Sequence, residues 1–254
     1  MTGRLCPSPR GGCEEPVQRA EQPHSLATHW LRALSSGGRV VMLAGQGLVD
    51  PREPRRWLLD NPGSLAAAWR LLEPLQRLAL QASRSPEGLA ATVAQLLRNG
   101  SLSRLIYFGV DGAAARMAPD GAVVEVYGSV LRARCPRCGR RLALHEATAS
   151  PPRCPACGAA MEPELVWRGE RPRSRILGEA VYEATTADLI VACCLGGETL
   201  PTVLALSAKR FTRLALLGED KVLAYAADYR VPRGEAEKLL KEVAERASQP
   251  HSPQ

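Results

Sequence analysis

Two Cys-x-x-Cys pairs, Cys135/Cys138 and Cys154/Cys157, stand fifteen residues apart and constrain the chain more than any other feature. Thiolates are soft ligands, and a closed structural zinc site takes four of them in a tetrahedron. Two intervening residues let a tight turn aim both sulfurs of a pair at one ion. Pro136 and Pro155 stiffen the turns, and Gly139 and Gly158 follow them where positive φ is needed. The spacing lies in the zinc-ribbon range. Two redox or disulfide pairs are the alternative reading. His145 lies between the knuckles, but four thiolates already complete a shell, so the expected site is structural Zn²⁺ on Cys135, Cys138, Cys154 and Cys157.

The chain has 254 residues, enough for a large domain carrying a small one, and its apolar fraction of 45% can fill a core. Only 4% of residues are aromatic, so that core must be built from Leu, Ala and Val. Cys193-Cys194 sits in an apolar run and reads as buried thiols; Cys6 and Cys13 fall in the Pro/Gly/Arg-rich start. The start shows no signal peptide, and no run approaches the ~20 apolar residues of a membrane span, so a reduced, cytoplasmic setting is expected. Net charge is +7, and residues 132–175 alone hold ten Arg against four Glu. That excess reads either as solvated surface or as a patch facing an anion, nucleic acid or acidic partner.

Residues 1–24 lack periodicity and are expected to be disordered, as is the tail 248–254. A short helix is expected over 26–34, capped by Ser25 and ended by Gly37-Gly38. An apolar strand over 39–44 then runs into Gly45-Gln46-Gly47, a pattern shared by nucleotide-binding turns and by tight turns without a ligand. Residues 50–62 read as loop. Residues 65–80 have helical spacing interrupted at Pro74, and Ser85-Pro86-Glu87 opens a further helix to 97. Buried strands are expected over 102–110, 122–127, 188–194 and 213–217, with helices near 180–184, over 201–209 and over 235–247. Apolar strands alternating with helices make a parallel α/β sheet covered on both faces.

The order of these features resembles the sirtuin family: a Gly-x-Gly turn, a helical insertion, a strand ending in Asp-Gly, a Val-Val-Glu strand, a four-Cys block and then Val-x-x-Gly-Glu. The resemblance covers roughly residues 25–245. It implies an NAD-dependent protein-lysine deacylase fold: a Rossmann-like parallel sheet with helices on both faces, plus a small zinc-ribbon and helical domain. The large domain would take residues 25–130 and 175–247, with a helical insertion at about 50–100, and the zinc-binding module 131–174. NAD or ADP-ribose would touch Gly45, Gln46, Gly47, Asp111 and Gly196, and an acyl-lysine peptide would touch Val166, Gly169 and Glu170. Asp111 would hold the nicotinamide amide.

Other family positions differ. The catalytic Asn falls on Gly109, the Gly-Thr-Ser motif on Cys194-Leu195-Gly196, the ribose-side Asn on Gly218 and the substrate-lining Phe on Arg168. The general-base His falls on Tyr127. A base works best with a pKa near operating pH, which imidazole at ~6.5 satisfies and a phenol near ~10 does not. Three functions are thereby set side by side. One is a sirtuin-like NAD or ADP-ribose binder with impaired chemistry (a pseudoenzyme), which could take a protein partner through the same cleft. Another is an active NAD-dependent deacetylase or ADP-ribosyl transferase. The last is nucleic-acid or protein binding through the zinc module, where no aromatic stacking platform is visible.

Overall fold

The structure is a computed structural model that describes residues 23–48, 59–84, 87–144 and 151–249. The readings for Cys6, Cys13, Ser85, Pro86, His145 and most of the 50–62 loop lie outside those residues. Helix α1 (Pro23–Ser35) leads into strand β1 (Val40–Ala44), after which residues 46–48 form one turn of 3₁₀ helix. Helices α2 (Leu65–Arg84) and α3 (Gly88–Arg98) follow, then β2 (Arg104–Tyr107), α4 (Ala113–Met117) and β3 (Val123–Glu125). A small sheet is built from β4 (Gly128–Arg134), β5 (Arg141–Ala143) and β6 (Glu162–Leu165). The chain then adds α5 (Ser174–Thr185), β7 (Leu189–Cys193), α6 (Thr199–Ala208), β8 (Arg213–Leu217), α7 (Leu223–Ala226), β9 (Tyr229–Val231) and α8 (Arg233–Ala247).

Six strands form one parallel sheet in the order β3-β2-β1-β7-β8-β9. Successive strands run outward from β1 to β3 and then, from β7, outward to the other edge. The order therefore reverses between β1 and β7, and ligands of open α/β sheets bind outside the carboxyl ends of strands at such a point. All five residues of β1 and of β7 are buried, as expected for central parallel strands. Period-two alternation sends Val40, Met42 and Ala44 to one face, against Trp30 of α1 and Leu240 of α8. Val41 and Leu43 go to the other face, with Leu72 of α2, Ala180 of α5 and Leu204 of α6.

Several boundaries differ from the sequence reading for physical reasons. Helix α2 continues through Pro74; buried Ala68, Trp69, Leu72 and Ala79 dock the helix on both sides of the proline and offset its missing hydrogen bond. Helix α3 starts at Gly88, with Glu87 in extended backbone before it and no side-chain cap. Helix α5 begins at Ser174 and α1 already at Pro23, so Ser25 lies inside α1 rather than capping it. Strand β9 at the sheet edge is carried by three residues with Arg230 in the middle, too short and too polar for a periodicity to reveal.

The three-stranded antiparallel sheet, order β5-β4-β6, brings the two knuckles together. Trp69 of α2 packs against Cys135, Cys154 and Met161, and its indole N–H donates to the Met161 carbonyl at 2.9 Å. A helix some sixty residues upstream in sequence thus closes one side of the metal-binding region.

Candidate functional site

The four cysteines of the knuckles offer sulfurs that all lie within 4.8 Å of one another. Three Sγ–Sγ separations are 3.5 Å (Cys135–Cys157), 3.5 Å (Cys138–Cys154) and 3.8 Å (Cys138–Cys157). A tetrahedron of Zn–S bonds of ~2.3 Å has edges of about 3.8 Å, so the set fits a structural Zn²⁺. Gly139 and Gly158 both adopt positive φ, at 73° and 71°. That lets their N–H groups turn back onto the Cys135 and Cys154 carbonyls at 3.0 and 2.9 Å. Burial raises Cys154, but the backbone N–H groups of Ala156 and Cys157 and the neighbouring thiols outweigh it and bring the thiol down to about 6, a direction that favours metal-ready thiolate.

The second site lies at the carboxyl ends of β1, β2 and β7. Gly45 donates its N–H to the Cys193 carbonyl at 3.3 Å, and a Cβ at Gly45 would lie 2.3 Å from the Cys194 carbonyl oxygen. Only glycine permits this crossing of the β1 and β7 loops. Gly47 is next to it, where a Cβ would come 3.4 Å from Cys194 Cβ. Cys194 is the one non-glycine residue with positive φ (56°) among the described residues. The two adjacent cysteines also part company: Cys193 is buried, Cys194 half-buried, with their sulfurs 3.1 Å apart. The sequence expectation of two buried thiols is corrected at Cys194, because the chain leaves the sheet there. The hydrogen bond from Cys193 and the charge of Arg233 pull the Cys194 thiol down. Gly196 and Gly197 complete the loop at φ 66° and 74°.

Asp111 is nearly buried (9% exposed), and both of its carboxylate oxygens have protein donors. The Tyr107 hydroxyl donates at 2.5 Å and the Ala113 N–H at 2.6 Å. Tyr107 is fully buried, and burial together with the Asp111 charge pushes its phenol well above the ordinary value. A Cβ at Gly109 would lie 2.4 Å from the Tyr107 ring and hydroxyl. The tyrosine therefore fills the space into which a side chain at position 109 would project. Nothing in the sequence reading singled Tyr107 out, since an aromatic in a buried strand is ordinary.

Tyr127 follows β3 and is 7% exposed. Its ring meets Phe108 edge to face, centroids 5.8 Å apart, and the Glu198 carboxylate is near enough for its charge to act on the hydroxyl. Burial first, then the Glu198 charge, push the phenol far above its usual range. It stays protonated at physiological pH. Glu198 occupies the N-cap position of α6, yet makes no side-chain cap, and its charge acts on the tyrosine. An acidic residue at a helix N-terminus is common for dipole reasons alone, which hides Glu198 from a sequence reading.

The expected peptide-side residues form a tight turn. Val166 donates its N–H to the Tyr127 carbonyl at 2.9 Å. Gly169 has φ 86°, and the Glu170 carboxylate accepts the Trp167 N–H at 3.1 Å. Arg168, at the position expected for a phenylalanine, pairs with Asp60 at 3.3 Å. Gln46 lies in the 3₁₀ turn after β1. The structure thus brings Gly45, Gly47 and Gly196 together at the sheet's switch point, with Asp111 after β2 and Tyr127 after β3.

The profile of the Sir2 family matches residues 67–199, about half of the chain. This chain belongs to the Sir2 family. Among curated relatives, the NAD-dependent protein deacylase of Aeropyrum pernix is 36% identical over 162 residues, which cover 63% of this chain and 59% of that protein. The match therefore spans about three fifths of the relative's length. A solved Sir2 homologue in complex with NAD superposes with a TM-score of 0.66 at 22% identity, covering 86% of this chain and 93% of that one. A Sir2 histidine-to-tyrosine variant, described with a p53 peptide and NAD, gives a TM-score of 0.58 at 21% identity over 87% and 96%. At these identities the likeness establishes the Sir2 fold. Among the described residues, no helix is long and apolar enough to cross a membrane.

Proposed function

We propose that this Sir2 protein binds NAD or ADP-ribose at the glycine-lined switch point and has lost most or all protein-lysine deacylase chemistry. One observation carries the second part: the residue at the family's general-base position is Tyr127, a buried phenol that burial and the Glu198 charge hold in its protonated form. Accepting a proton from a ribose hydroxyl needs a group with a free lone pair and a pKa near neutrality. A buried phenol whose pKa is pushed far up by burial and a neighbouring carboxylate lacks the second.

The neighbouring geometry supports the same reading. Asp111, the residue that would hold the nicotinamide amide, already receives the Tyr107 hydroxyl and the Ala113 N–H. Gly109 contributes no side chain, and Tyr107 occupies that volume. Binding is less affected than chemistry. Gly45 lets the β1 and β7 loops cross at the switch point, and NAD would lie across that reversal of strand order. The histidine-to-tyrosine Sir2 variant described with NAD and a peptide is consistent with tyrosine tolerating both ligands. Structural Zn²⁺ on the four cysteines would hold the small sheet together without taking part in the reaction.

The deacylase name of the Aeropyrum pernix relative favours a second reading, an active NAD-consuming enzyme. Incubation with NAD and an acetyl-lysine peptide, followed by nicotinamide release, separates the two. The impaired reading expects turnover far below ~1 s⁻¹ together with saturable ADP-ribose binding by calorimetry. Turnover of an ordinary enzyme overturns the loss of chemistry, and absence of ADP-ribose binding overturns the binding role.

A further inference from the structure

A cavity of about 670 Å³ opens between the edge strand β3, helices α4 and α5 and the small sheet; Val166 lines it, while Gly45, Gly47 and Gly196 do not. Arg132, Arg141, Glu164 and Arg173 line it. Three guanidinium groups converge there on one buried carboxylate. Glu164 forms ion pairs with Arg141 at 2.8 Å, Arg173 at 3.3 Å and Arg132 at 3.4 Å. Arg132 also pairs with buried Glu125. Asp120 and Glu179 line the same space, but neither pairs with these arginines among the described residues.

The arrangement is costly as a scaffold. Arg141 stands directly opposite Arg134 in the β4–β5 register, and like charges in that position destabilise a sheet. Arg173 feels both: burial lowers its proton affinity, and the charges of Arg134 and Arg141 lower it further against the opposing charge of Glu164. Guanidinium groups present planar forks of N–H donors suited to carboxylate and phosphate. Three such forks on Glu164 leave most of their donors without a protein acceptor. Arg141 and Arg173 remain about half exposed, so a ligand can reach them. A hydrophobic alternative would have joined the small sheet to α5 at lower electrostatic cost.

We propose that this cavity is a binding site for the oxyanion group, phosphate or carboxylate, of a small molecule. Arg141 from β5 and Arg173 from the start of α5 grip the oxyanion, and Glu164 pre-positions both guanidinium planes. Because the two arginines come from the small sheet and from the main sheet's flanking helix, the bound anion cross-links the two.

The test is calorimetric titration of the zinc-loaded full chain with inorganic phosphate and, separately, with succinate, each against sodium chloride at matched ionic strength. Saturable binding of at least one is expected, and which one identifies the oxyanion. Arg141→Gln and Arg173→Gln should each weaken it on the order of tenfold. No saturable binding of either anion overturns the site. Unchanged affinity in the double variant also overturns it, since the anion then sits elsewhere, for example at Gly45 and Gly47. Should the variants misfold, NMR of the native chain decides. The Nε–H signals of Arg141 and Arg173 must move with phosphate or succinate, and signals that stay still sink the proposal.

Discussion

The ring of Tyr107 lies where any side chain at Gly109 would have to go, 2.4 Å from the Cβ that such a residue would add. Tyr107 also donates to Asp111, so the two cannot be changed independently. Gly109→Ala is expected to destabilise the protein by about 1–3 kcal/mol, as overpacking does. That corresponds to a fall in Tm of several degrees, about 2–4 °C per kcal/mol for a chain of this size. Tyr107→Ala in the same chain should recover part of the loss. Thermal unfolding of the two single variants and the double variant measures the coupling.

Restoring the missing base is expected to be insufficient. A positioned general base contributes ~10²–10⁴ in rate, yet Tyr127→His alone should change nicotinamide release by less than about tenfold, because Tyr107 still occupies Asp111 and the volume over Gly109. Combining Tyr127→His with Tyr107→Ala and Gly109→Asn should give a larger gain than any single change. A strong response to Tyr127→His by itself would show that the remaining cleft is intact.

Metal analysis of the purified protein should find about one zinc ion per chain. Cys135→Ser or Cys154→Ser should abolish metal binding and unfold the small sheet. Circular dichroism and limited proteolysis with chelator would report this as new cleavage between β4 and β6. Full metal loss with unchanged proteolysis contradicts a structural role.

Glu125 gives a pH dependence with a defined sign. Burial, opposed by Arg132, raises its carboxyl from 4.5 to about 7. Below pH 4.5 it is protonated in both the folded and unfolded states. As pH rises, the unfolded chain releases the proton first, so stability declines until the folded carboxyl ionises too, and the loss levels off above pH 7. The integrated effect is on the order of 3 kcal/mol. Urea unfolding at pH 5 to 8 should follow this slope, and Glu125→Gln should flatten it.

Much of the architecture was readable from residue order. Buried apolar runs marked the strands β1, β2, β7 and β8, and the Cys pairs with their glycines marked the zinc knuckles, because both signals are local. The sixth strand was not readable: Tyr229-Arg230-Val231 pairs only because β8 is already in place beside it. The candidate cleft was half legible. Gly45, Gly47, Asp111 and Tyr127 could be placed by motif, since backbone needs and side-chain chemistry are tied to position. Tyr107 and Glu198 could not, because their meaning comes from a neighbour across the fold. The basic excess of residues 132–175 was visible as composition, but only the register of β4 and β5 shows Arg134 facing Arg141.

Trp69 adds a consequence for the way the molecule comes apart. Its ring rests on the cysteine knuckles and its indole is tied to Met161, so helix α2 and the small sheet share one interior. Hydrogen exchange should then find them opening together as one cooperative unit, with the ion acting as a bolt for both. The free energy of metal binding reaches amides near Trp69 that coordinate nothing, and one wall of the fold is only as durable as the zinc on its far side.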